Sequence, residues 1–213
     1  MTTTTPAAAY KAARTALRDA PVFTDRDLSP QGTVRRRAEL IRAAKAQVQA
    51  ALPILPEVTT TRTDVLASRA PRTADEVAIH ARERQKASEL SAAGQSVEEI
   101  VAGASEVRAA ALADDLEALA ARDAEEAERV AQLLFDRLVA IGAPDAVAFD
   151  TAEREGAVAR AWHAALTATA EGRDPDLETR TTLYAVDPEG YQAALADDVA
   201  VDWSAVARTE AGA

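Results

Sequence analysis

The apolar residues of this chain are mostly too small to build a thick core. Hydrophobic residues make up 48 % of its 213 residues, yet aromatics make up only 4 %, and alanine dominates the remainder. Each large side chain taken out of water contributes roughly 1.5–3 kcal/mol, and alanine far less. Alanine is also the best helix former. A chain of this kind is expected to be all-α, with long helices approaching closely on narrow seams.

Helix punctuation divides the chain. Thr5-Pro6 and Ser29-Pro30 each read as an N-cap followed by proline at the first helical position. The first helix runs to about Arg18, with Tyr10, Ala13 and Leu17 at helical spacing. The second runs to about Leu52. Its Val34, Ile41 and Val48 are seven apart, with Ala38, Ala44 and Leu52 between and after, a seam of coiled-coil character. Pro53 and Pro56 stop it. The run Thr59–Thr63 favours irregular chain, and Asp64–Ser68 is expected to make one or two helical turns.

Thr73 with Glu76, and Ser96 with Glu99, are capping boxes. The first opens a helix ending at Gly94. The second opens the longest expected element, about Val97 to Ile141, closed by Gly142. As one helix it would be a rod of roughly 65 Å. Only alanine is available for burial around Asp123, Glu125, Glu126 and Glu128, so a break near Asp123 would make it two helices. Pro144 starts another helix, ending near Ala170 with Gly172 beyond. Gly156 in its middle marks a kink or a close crossing. Asp174-Pro175 and Asp187-Pro188 each read as the start of a short helix, and a last turn or helix is expected from Val199 through Trp203 to Val206. The expected fold is therefore all-α, with elongated helical hairpins or coiled-coil-like rods and a small C-terminal helical subdomain. Its segments are 1–56, with a basic amphipathic helix; 57–142, the rod region; and 143–213, the subdomain.

The net charge is −11 and there is no cysteine. The first disfavours general nucleic-acid binding by charge, and the second excludes disulfides and thiolate metal sites. No apolar run approaches the roughly 20 residues that span a bilayer. The start, Met1-Thr2-Thr3-Thr4-Thr5-Pro6, lacks a basic region followed by an apolar one, so no secretory signal is expected. Charge is segregated. Arg35, Arg36, Arg37, Arg42 and Lys45 stand against Glu39 alone, while Asp114 to Glu128 is strongly acidic. Solvated faces, pairing of the basic helix with an acidic one, and phosphate contact by the arginine triplet all remain open.

Chemistry-bearing patterns are few. The histidines are His80 and His163, and neither has the Glu-x-x-His spacing of a di-metal bundle site. Glu76, His80 and Glu83 share one helix face, which a surface metal would require, but exposed polar residues of an amphipathic helix give the same pattern. No glycine-rich phosphate loop and no Gly-x-Ser-x-Gly elbow occurs. The expectation is a non-enzyme with no cofactor and no metal. Trp162, Tyr184, Tyr191 and Trp203, with Phe135 and Phe149 before them, are expected either to form the one substantial core or to present an aromatic anchor surface. Phe23 and Tyr10 are the equivalent candidates at the other end. A secreted helical-hairpin effector is disfavoured, because Trp162-His163-Ala164 and Tyr191-Gln192-Ala193-Ala194-Leu195 do not carry its motifs.

The stretch from Phe23 to Leu40, with Leu28-Ser29-Pro30-Gln31-Gly32 leading into a basic amphipathic helix, resembles small helical proteins of phages infecting high-GC Gram-positive bacteria. These are scaffolding-like or head-associated virion structure and assembly proteins. The resemblance implies a non-enzymatic assembly protein acting through helix-mediated protein contacts, as a homo-oligomer or particle component. Its location would be cytoplasmic, or the virion. The alternatives are a cytoplasmic adaptor binding a host protein, and a nucleic-acid-associated protein using the Arg35–Arg42 helix. The candidate partner-binding residues are Phe23, Leu28, Arg35, Arg36, Arg37, Ile41, Arg42, Trp162 and Trp203.

Overall fold

The computed structural model describes residues 5–57, 59–196 and 200–212. Met1–Thr4 and Val199 lie outside them, so the features expected there go undescribed. The helices are α1 (Pro6–Asp19), α2 (Pro30–Ala50), α3 (Arg62–Ala67), α4 (Ala74–Ala92), α5 (Val97–Ala102), α6 (Glu106–Ala113), α7 (Leu116–Ala120), α8 (Ala124–Ala140), α9 (Pro144–Ala170), α10 (Leu177–Val186), α11 (Pro188–Leu195) and α12 (Trp203–Ala211). A 3-10 turn follows α1 at Ala20–Val22. No strand occurs among the described residues. The fold is all-α.

Capping explains most of the boundaries. The side chains of Thr5, Ser29, Thr73 and Ser96 each accept a backbone N–H in the first turn of the helix that follows. The Thr73/Glu76 and Ser96/Glu99 boxes are both reciprocal, as is a third, Thr61 with Asp64. The Asp187-Pro188 start is α11, with Asp187 as its N-cap. Asp174-Pro175 starts nothing. There α10 begins two residues later behind Asp176, and Pro175 is buried.

The continuous rod expected over Val97–Ile141 is four helices. At two of its breaks a short polar side chain, Ser105 or Asp123, offers the backbone a local alternative to the helix ladder. Gly103 ends α5, and the Ser105 hydroxyl caps α6. Asp114 ends α6. Asp123 caps α8 by accepting the Glu126 N–H at 3.0 Å, a break at the position the sequence pointed to.

The chain divides into two compact units, residues 1–56 with 154–213, and residues 57–153. The N-terminal helices and the C-terminal helices, expected as separate segments, thus share one unit. In it, α1 packs on α2 and α11, and α2 also packs on α12. The buried face of α2 is Ala38, Ile41, Ala44 and Val48, so the heptad-like seam is consumed within the chain. One cluster joins Tyr10, Val48, Trp162, Leu166, Leu183 and Tyr191. Tyr10 and Tyr191 meet the Trp162 ring edge-on, at centroid distances of 5.8 and 6.5 Å. A second joins Leu17, Ile41, Val201 and Val206, with Trp203 against it. Gly156 lies inside an unbroken α9, and a Cβ there would stand 3.1 Å from Pro56 Cγ. The glycine marks a close crossing, not a kink.

The 57–153 unit has its own core around Leu66, Val101, Leu134, Phe135 and Leu138. Phe149 meets Phe135 edge-on at 5.5 Å. The aromatic residues are therefore shared among three clusters instead of forming one, and Tyr184 is 60 % exposed.

Candidate protein-docking groove

Within the 57–153 unit, α4 lies along α6, and α5, α7 and α8 complete the surroundings. A groove of about 350 Å³ opens there. Its floor is Ile100, Val101, Leu112, Leu116, Leu119 and Val130, and α4 supplies Arg84, Ala87, Ser88 and Ser91. Val97 forms a partly exposed lip, and Asp115, Arg122 and Glu126 stand among the lining residues. An apolar channel with charges of both signs around it suits an amphipathic helix, which buries one stripe and leaves its flanks polar. A second groove is lined largely by alanine, including Ala67, Ala113, Ala120, Ala124, Ala127 and Ala131, as expected where small residues allow helices to approach closely.

Polar contacts hold α4 to α6. His80 is buried, and its Nδ1 lies 2.7 Å from Asp114 Oδ2. Arg84 donates to the same oxygen at 3.2 Å. Glu83 accepts from Arg108 Nε at 3.0 Å and also pairs with Lys86. The Lys86 hydrogen bond, followed by that of Arg108, holds the Glu83 carboxyl below the usual range. In sequence, Glu76, His80 and Glu83 read as exposed polar residues of an amphipathic helix, with a surface metal as the lesser alternative, and the buried His80 departs from that exposed face. Glu76 is committed to the N-terminal box of α4, His80 is turned inward to Asp114, and Glu83 is ion-paired. No group of three or more potential ligands capable of holding a metal ion occurs among the described residues.

A third cavity, about 530 Å³, is lined by Arg69, Arg72, Glu76, Ile79, His80, Glu106 and Val107, among others. Arg69 bridges Glu106, at 2.5 Å, and Asp145. With carboxylates already on Arg69 and Glu76 beside Arg72, the cavity has no surplus of positive charge to hold an anion.

The residues expected to contact a partner are dispersed by the structure. Ile41 and Trp162 are core residues, 0 % and 1 % exposed, and so is Tyr10 at 2 %. They are unavailable to a partner. Trp162 is held in place by donating its indole N–H to Asp187 at 2.8 Å. Trp203 is half-buried against its cluster, and its buried indole N–H has no hydrogen-bond acceptor among the described residues. Phe23 is half-buried, and its carbonyl accepts from Arg37 Nε at 2.8 Å. Arg36 pairs with Glu39 on its own helix, and Arg42 Nε turns back to the Ala38 carbonyl. Arg35 and Leu28 are exposed. The arginine triplet is thus three separate side chains doing three different things. One basic residue of α2 does reach a carboxylate of another helix, Lys45 to Glu210 of α12 at 2.8 Å.

In an unbroken helix over Val97–Ile141, Ile100, Leu112, Leu116, Leu119 and Val130 would be spread along the length of a rod. Once Asp114 and Asp123 break that rod, the same residues converge from four helices around the groove. The signal that would have found it is the short polar residue beside each break. No helix among the described residues is long and apolar enough to cross a membrane. Comparison with protein-family models, curated proteins and solved structures finds no match for the chain.

Proposed function

We propose that the chain is a non-catalytic assembly protein that binds a helix of a second copy through the apolar groove of its 57–153 unit. The observation that carries this reading is the groove itself, with Leu112, Leu116 and Leu119 along one side and Val97 at its lip. The chain also carries helices with exposed apolar side chains suited to such a groove. On α10, Leu177 and Tyr184 are seven residues apart and 76 % and 60 % exposed. Side chains at that spacing lie on one helix face. The phage-like virion or scaffolding setting suggested by residues 23–40 agrees with this activity, since particle components associate through repeated copies.

Sedimentation of the full chain over a range of concentrations tests the proposal. Mass is expected to rise with concentration and to stop rising in Val97→Glu. That substitution puts a charge on the lip of the groove, at a first-turn position of α5 where an acid is compatible with the helix dipole. Circular dichroism checks that the variant keeps its helices. A wild-type monomer at every concentration would overturn the proposal, as would association that Val97→Glu leaves unchanged.

A further inference from the structure

We propose that α4 is a detachable wall of this groove, undocking from α6 as a helix while the rest of the 57–153 unit stays folded. The proposal deepens the docking reading by assigning the groove a means of regulation. The undocking itself can be read with no partner present.

The first ground is how little α4 buries. Over 19 residues it buries only His80 and Ala87. Of its large aliphatics, Val77 and Ile79 are each 49 % exposed and Leu90 is half-buried. By contrast α8, of 17 residues, buries Ala127, Val130, Leu134, Phe135 and Leu138. Burial of large apolar side chains is the dominant stabilising term, and α4 fully buries none of its own. An element with few buried apolar contacts belongs at the low end of local stability.

The second ground is what replaces that burial. His80, Glu83, Arg84 and Ala87 recur at helical spacing and share one face, and Arg108 and Asp114 of the α6 segment meet it. Two carboxylates, Asp114 and Glu83, make the cross-helix contacts. On undocking, both the cations and the carboxylates regain water, so separation costs far less than exposing a leucine seam.

The third ground is that α4 does not need α6 to remain a helix. Its N-terminus is closed by its own box, with the Arg72 and Thr73 N–H groups donating to Glu76. Its C-terminus is closed by a Schellman pair, Gly94 N–H to the Ser91 carbonyl and Gln95 N–H to the Leu90 carbonyl. Gly94 sits at φ +95°, where a side chain would be strained. Pro71 precedes the box and Gly94 follows the helix, giving two short flanking segments in which a change of direction can be absorbed. Because Ala87, Ser88 and Ser91 form one side of the groove, movement of α4 changes its width.

Hydrogen exchange of the full chain, resolved by peptide, tests this. Once undocked, a helix of this length has no packing to hold it and frays transiently, so amides of α4 are expected to exchange at least about tenfold faster than those of α8. Asp114→Ala, which removes the shared acceptor of His80 and Arg84, is expected to accelerate α4 by roughly another tenfold and to leave α8 unchanged. Asp75→Ala, on the exposed first turn of α4, is the control and is expected not to accelerate it in this way. A neutral, environment-sensitive apolar dye is expected to bind more strongly to Asp114→Ala than to wild type. Exchange of α4 and α8 at one common rate would overturn the proposal, as would equal acceleration of both by Asp114→Ala. Unchanged dye binding with α4 selectively accelerated would overturn its role as a wall. None of these results depends on self-association, so their failure is distinct from failure of the docking reading.

Discussion

Trp162 donates its indole N–H to Asp187 Oδ2 at 2.8 Å, and the other oxygen of the same carboxylate accepts the Gly190 N–H at 3.0 Å. Asp187 thereby ends α10, starts α11 and fixes the largest buried side chain of its unit at once. One carboxylate ties the central helix α9 to the two short C-terminal helices.

Replacing it should be costly. Asp187→Ala leaves a buried indole N–H without an acceptor, which costs about 1–3 kcal/mol, and removes an N-cap, which costs about 1 kcal/mol. Asp187→Asn keeps one acceptor oxygen, enough for either the Trp162 or the Gly190 N–H but not both in the native geometry, and should lose less than Asp187→Ala. Urea unfolding followed by tryptophan fluorescence measures both, and equal losses for the two variants would mean that the hydrogen bond is not the source.

Gly190→Ala tests the same junction from the other side. A Cβ at Gly190 would stand 2.2 Å from Asp187 Oδ2. The carboxylate cannot move aside without giving up Trp162 or the cap, so the usual gain from alanine in a helix is reversed. A destabilisation of about 1–2 kcal/mol is expected, against a gain of about 1 kcal/mol for an unobstructed helical glycine. A stabilised Gly190→Ala in thermal melts would contradict the packing.

How much of this was legible depended on range. Caps were readable because a hydroxyl or carboxylate and the N–H it accepts lie three residues apart, as at Thr5, Ser29, Thr73, Ser96 and Asp187. Helix ends at Gly94, Gly142 and Gly172 were readable for a similar reason, and all three have positive φ. The breaks at Ser105 and Asp114 were missed because the apolar spacing runs through them without interruption. Asp114 is drawn to His80, 34 residues away. Long-range partners also decided the aromatic residues. For Trp162 the sequence left core and anchor surface both open, and Ile41 was both a seam residue and a partner candidate, because nothing local says which face of a helix meets a neighbour; both are core.

Burial separates the expected responses of two large aliphatic side chains. Leu134 is fully buried in the core of the 57–153 unit, and Leu134→Ala should cost about 2–5 kcal/mol through lost burial and the cavity left behind. Ile54 is 94 % exposed, and Ile54→Ser should stay within about 0.5 kcal/mol of wild type. Denaturant midpoints compare them directly. A strongly destabilised Ile54→Ser would mean that this side chain is covered in solution by something that the chain or a second copy supplies.

Acid should weaken the helix starts. Asp64 is held below the usual aspartate value of 3.8 by the Thr61 hydroxyl and backbone N–H. Glu76 is held below the usual glutamate value of 4.5 by the Arg72 and Thr73 N–H groups. Asp176 is likewise lowered by the N–H and hydroxyl of Thr179. For a carboxylate whose folded value lies below its unfolded value, the folded state binds fewer protons. Its contribution is complete above the unfolded value and disappears as pH falls through the folded one. Helix stability, read as the thermal midpoint by circular dichroism, should therefore be flat with respect to these groups above about pH 5 and should decline below about pH 4. The triple variant Asp64→Asn, Glu76→Gln, Asp176→Asn retains acceptor oxygens but cannot titrate. It should show a shallower acid decline than wild type. An identical decline would assign the acid sensitivity to other carboxylates, with Glu83 between Lys86 and Arg108 the next to test.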